Sequence, residues 1–129
     1  MKFILSLLCV NLLFSTPVFA EDHSENVCSV VDNRICGHLG YHWGIPTTSS
    51  EAQFLFHVMG GASELTDLKI DLWMESMGHG TSPVKLERVG VNKYKVSEAF
   101  FIMEGEWLVR ADFNMDGQAH HLEFAVKAE

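Results

Sequence analysis

Between residues 73 and 80 the chain reads Trp73-Met74-Glu75-Ser76-Met77-Gly78-His79-Gly80, followed by the turn-forming Thr81-Ser82-Pro83. Two thioethers and an imidazole thus fall within six residues. Thioether sulfur and imidazole nitrogen are donors that soft metals prefer, copper in its reduced state above all. Methionine suits an oxidising compartment because its sulfur is uncharged, polarizable and needs no deprotonation. Met77 and His79 flank Gly78 and precede Gly80, whose backbone freedom lets both side chains converge. Met74 lies three residues before Met77, and Met103 closes the apolar run Phe100-Phe101-Ile102-Met103. The candidate metal ligands are therefore Met77, His79, Met74 and Met103, with His57 and Met59 as further donors, and the ion expected is copper as Cu(I). Against this stands a packing role: Met74 continues the apolar face of Leu68, Ile70 and Leu72, and Met103 ends a cluster that a core would absorb.

The elements that must hold such a site read as strands. At 51–59, Phe54, Phe56 and Val58 alternate with Leu55, His57 and Met59, and Gly60-Gly61 ends the run. At 65–74, Leu68, Ile70, Leu72 and Met74 share one face, while Asp67, Lys69, Asp71 and Trp73 share the other. A short strand is expected at 84–89, a turn at Gly90-Val91-Asn92 and a returning strand from residue 93. Trp107, Val109, Ala111 and Phe113 then alternate up to the tight turn Asp116-Gly117, and Leu122, Phe124 and Val126 form the face of the last strand. No stretch shows helical period. About six to seven strands joined by glycine-rich turns predict an all-β, antiparallel β-sandwich.

The start of the chain indicates a compartment. A positive Met1-Lys2, an apolar run and the small-residue ending Val18-Phe19-Ala20 form a secretory signal peptide over 1–20, with Cys9 inside it. The apolar run is too short to span a bilayer, so no membrane span is expected after cleavage, and the protein is expected to be periplasmic or secreted. Of the charged residues only Lys2 leaves with the leader, so 109 residues remain with eight bases against seventeen acids, a charge of −9. That is one domain's worth of chain, ill suited to nucleic acid or anionic lipid and well suited to a cation. Cys28 and Cys36, with seven residues between them, are expected to form a disulfide in such a compartment, stabilising by about 2–3 kcal/mol on a chain-entropy argument. Residues 21–50 then read as a polar, mobile tail and an irregular disulfide-closed loop, with His38 and His42 in a glycine-rich stretch as auxiliary ligands or solvated side chains. The sandwich domain follows at 51–129.

Two further patterns bear on chemistry. Asp112-Phe113-Asn114-Met115-Asp116-Gly117 with Glu123 fits a calcium loop at its charged positions, but its flanks alternate with period two, as a hairpin requires. His120 and His121 are adjacent and in a strand must point to opposite faces. The sequence contains no His-Glu-x-x-His, nucleophile elbow or phosphate-cradling glycine loop, and an enzyme is not expected.

A strand ending in Trp73-Met74, then Met77-Gly78-His79-Gly80, Ser82-Pro83-Val84, a tyrosine strand and Phe101-Ile102-Met103-Glu104-Gly105-Glu106-Trp107 resembles the YtkA-like domain, related to FixH-type accessory proteins of bacterial cytochrome oxidase assembly. The similarity runs from about residue 51 to 127. It implies an immunoglobulin-like sandwich associated with copper handling, with Met77, His79 and Met103 at the family's Met/His cluster. The chain departs from the pattern at Glu75-Ser76 and at Glu104, where relatives often carry proline. The expected function is copper sequestration or delivery to an envelope copper acceptor or membrane protein. A module that docks another envelope protein through Phe54-Leu55-Phe56 and Phe100-Phe101, without metal, is the alternative.

Overall fold

The computed structural model describes residues 23–41 and 46–129. The leader reading of 1–20, Cys9 and His42 lie outside the described residues. Among the described residues nine strands follow in order: β1 (His23–Cys28), β2 (Cys36–Tyr41), β3 (Ala52–Met59), β4 (Thr66–Met74), β5 (His79–Gly80), β6 (Lys85–Gly90), β7 (Lys93–Ala99), β8 (Gly105–Met115) and β9 (Gln118–Ala128). They form a five-stranded sheet ordered β1-β2-β3-β7-β6 and a four-stranded sheet ordered β5-β4-β8-β9, with every pairing antiparallel. The chain passes from one sheet to the other after β3, β5 and β7, the crossing pattern of an immunoglobulin-like sandwich. Among the described residues there is no helix long and apolar enough to cross a membrane.

The alternation read from the sequence is the burial pattern. Phe54, Phe56 and Val58 of β3, Ile70, Leu72 and Met74 of β4, Trp107 to Met115 of β8 at every second residue, and Leu122, Phe124 and Val126 of β9 face inward. Phe56 is the centre of this layer: its ring meets Phe113 and Phe124 of the other sheet edge-on, at 6.3 and 6.0 Å. Asp116 and Gly117 both have positive φ, so the β8–β9 connection is a two-residue hairpin turn with strands on both sides. The hairpin reading of 112–123 is therefore the one the structure shows.

Residues 23–41 differ from the expectation. They were expected to be a mobile tail and an irregular loop, whereas β1 and β2 form a hairpin whose second strand pairs with β3, raising the strand count above six to seven. The Cys28–Cys36 disulfide joins the last residue of β1 to the first of β2. The hairpin escaped the periodicity because β2 buries a glycine where a large apolar residue was sought. A Cβ on Gly37 would lie 2.5 Å from Leu122 and 3.1 Å from Phe124, so the opposite sheet fills the space that a β2 side chain would otherwise take. Past the hairpin, Thr48 donates to the Glu129 carbonyl and Glu129 to the Pro46 carbonyl, tying the segment beside the end of β9.

Candidate metal centre

The Met/His stretch is the connection between β4 and β5. Met77 and Gly78 donate to the Met74 carbonyl at 3.3 and 2.9 Å, closing a tight turn, and Gly78 takes φ 64°, a conformation that costs glycine little. The turn returns His79 to a position directly opposite Met74, so the two side chains lie on the same side of the ladder. That side is the core for Met74, which is 2% exposed, with its terminal methyl 3.2 Å from where a Cβ on Gly105 would stand. Of the four candidate ligands, Met74 is the one enclosed by packing, as the alternation along β4 implied. His79 lies at the rim and Met77 projects from the turn, 56% exposed.

Met103 comes from the other side of the sandwich, in the crossing between β7 and β8, and is 39% exposed. What joins it to the turn is Trp107. The buried indole donates from Nε1 to the Met103 carbonyl at 2.9 Å, and its ring meets the His79 imidazole edge-on at 6.2 Å between centroids. Phe101 lies behind it at 5.6 Å and Phe54 behind Phe101 at 6.0 Å, so the indole is held by an aromatic column running into the core. The turn and the crossing therefore share one rigid support at one end of the molecule. In the sequence Trp107 reads as an inward strand residue and as the end of the Phe101–Trp107 element, not as a contact of His79. Its spacing of four from Met103 was visible in the sequence, but its contact with His79 depends on the pairing of β4 with both β5 and β8.

Chemically, this end offers one imidazole and two accessible thioethers. The His79 Nδ1 faces the Gly80 carbonyl at a long 3.4 Å; the carbonyl accepts, which favours the proton on Nδ1 and leaves Nε2 as the donor atom for a metal. Beside the turn, Glu75 and Glu106 line a cleft of about 330 Å³ with Ser76, Leu108 and Ala125, adding negative potential next to it. Phe100 and Ile102, 48% and 56% exposed, form an apolar border next to Met103.

Among the described residues, the other candidate donors lie elsewhere. His57 and Met59 are on the outer face of β3, because their neighbours Phe56 and Val58 are buried; the thickness of the core separates that face from the four-stranded sheet. The structure does not bring them to the Met77/His79 end. His120 and His121 do point to opposite faces. His120 is buried, with Nδ1 2.7 Å from the Ser29 hydroxyl and Nε2 3.2 Å from the Met115 carbonyl, so both ring nitrogens are occupied. Among the described residues, no three or more His, Cys, Asp or Glu side chains gather around a common ion position. The residues proposed for docking also divide: Phe54, Phe56 and Phe101 are core, which leaves Phe100 and the half-buried Leu55.

No protein-family model matches the chain, and no curated protein or solved structure matches it.

Proposed function

We propose that the protein is an exported copper carrier that holds Cu(I) through Met77, His79 and Met103 and gives it up by ligand exchange. The observation that supports this reading is the shared indole: Trp107 contacts both the His79 ring and the Met103 backbone, so two candidate residues far apart in sequence meet one support. The resemblance to YtkA-like domains points the same way. Thioethers and a neutral imidazole hold Cu(I) without proton release, and a low-coordinate exposed site lets an acceptor's ligands enter before Met77 and His79 leave. Phe100 and Ile102 next to Met103 offer an apolar rim on which an envelope acceptor docks during that exchange.

The test is an anaerobic Cu(I) titration against a competing chelator, comparing the protein with the Met77→Ala/His79→Ala double variant and with Met103→Leu. One-to-one binding is expected, weakened at least a hundredfold in the double variant and roughly tenfold in Met103→Leu, as loss of two ligands or one requires. Unchanged affinity in the double variant overturns the reading. The exposure of Phe100 and Ile102 favours a second one, a metal-independent docking module. It predicts that Phe100→Ser/Ile102→Ser abolishes capture of an envelope partner while Met77→Ala/His79→Ala leaves that capture intact.

A further inference from the structure

The outer face of the five-stranded sheet carries a second pair of donors, which only strand register assembles. His38 of β2 stands directly opposite His57 of β3. Residues so paired send their side chains to the same side, with Cβ atoms about 4.5–5.5 Å apart. That side is away from the core, because Gly37 and Leu39 beside His38, and Phe56 and Val58 beside His57, are all buried. Two imidazoles therefore rise together from one sheet surface, 19 positions apart in sequence.

His38 is held ready to act as a ligand. Asn26 of β1 is paired with His38 on its other side, and its Oδ1 lies 2.9 Å from His38 Nδ1. The amide oxygen accepts, so Nδ1 carries the proton and Nε2 keeps its lone pair; this is how a supporting hydrogen bond fixes the tautomer of a metal-bound histidine. Nε2 lies near Gly40, where an added Cβ would stand 3.4 Å away, so no side chain from that position covers the donor atom.

We propose that His38 and His57 form a surface chelate for a divalent cation of borderline softness, Zn(II) or Cu(II), with Asn26 as the positioning residue. Imidazole pairs suit such ions, and with only two protein donors the remaining positions fall to water or to a ligand from a partner, as in an exchange site rather than a closed structural one. Lys93 faces His57 from β7 on its far side and opposes a bound cation, which makes it a handle on the electrostatics. The chelate lies on a different face from Met77 and His79 and uses different ion chemistry, so it stands or falls independently of the Cu(I) reading.

Zn(II) is the probe, followed through the imidazole resonances of the protein by NMR and through titration calorimetry. Saturable shifts of both His38 and His57 rings with one common midpoint are expected. His38→Ala and His57→Ala should each weaken that event at least tenfold, Asn26→Ala a few-fold, and Lys93→Ala should tighten it; Met77→Ala/His79→Ala should leave it unchanged. Zinc that shifts one ring and not the other, or an affinity indifferent to His38→Ala, overturns the proposal. Amide spectra report whether each variant keeps the fold, and His38→Gln and His57→Gln repeat the measurement should an alanine variant not.

Discussion

His121 sits on the outer face of the β8–β9 hairpin with Nδ1 2.6 Å from Asp112 and Nε2 2.9 Å from Glu123. Two carboxylates can both be satisfied only if both ring nitrogens carry protons, and the hydrogen bond to Glu123, then that to Asp112, raises the His121 pKa above the ordinary value of 6.5. A raised folded-state pKa contributes stability that is fully present below pH 6.5 and is lost as pH rises through the folded value. His57 behaves oppositely: its pKa is lowered, by burial first and Lys93 next, so its contribution to stability is lost as pH falls from 6.5 through the folded value. The bridge is therefore best isolated by difference. His121→Gln should cost more stability at pH 6 than at pH 8.5, by less than about 1 kcal/mol because the ring is 47% exposed and solvent screens it. Urea unfolding of both proteins at the two pH values reads this directly, and an equal difference at both would remove the imidazolium bridge.

Strands here are joined by turns whose backbone demands are more specific than their composition suggests. Gly60, just past β3, has φ 90°, and a Cβ there would stand 1.7 Å from the Arg34 carbonyl oxygen. The close approach fixes the β1–β2 loop against the end of β3. Asp116 at the β8–β9 turn then accepts from the Ala62 and Ser63 amides at 3.0 and 2.8 Å, which holds the next loop to the other sheet. Gly60→Ala should therefore destabilise by about 3 kcal/mol or more, combining an unfavourable φ with a backbone clash that no side-chain movement relieves. Guanidinium unfolding measures it, and a cost below about 1 kcal/mol, the ordinary price of a surface change, would show that the loops separate easily.

At the scale of the molecule, both sheets depend on one aromatic layer. Phe56 touches Phe113 and Phe124 across the interface, is fully buried and belongs to the central strand of its sheet. Phe56→Ala should cost about 3–5 kcal/mol and shift a single cooperative transition, since the two sheets have no separate cores to unfold independently. Two distinct transitions in the variant would contradict that. The same layer supports the Met77/His79 end, because the column from Phe54 through Phe101 to Trp107 reaches His79.

The sandwich, the turn at Asp116-Gly117, the disulfide, the opposed faces of His120 and His121 and the inward direction of Met74 were all legible in the amino-acid order. The disulfide follows from the two cysteines of a chain read as exported, and the others from local rules: successive side chains of a strand alternate, and small residues take the backbone conformations that turns require. The β1–β2 hairpin was not legible, because Gly37 leaves its inner position to Leu122 and Phe124, residues more than 80 positions away. Nor could local pattern tell that Trp107 joins His79 to Met103, or that His38 stands beside His57 while His57 and Met59 lie apart from the Met77 turn. Which residues become neighbours is set by strand register and by how the two sheets fill one core. Those are properties of distant side chains packing together, and only the tertiary structure decides them.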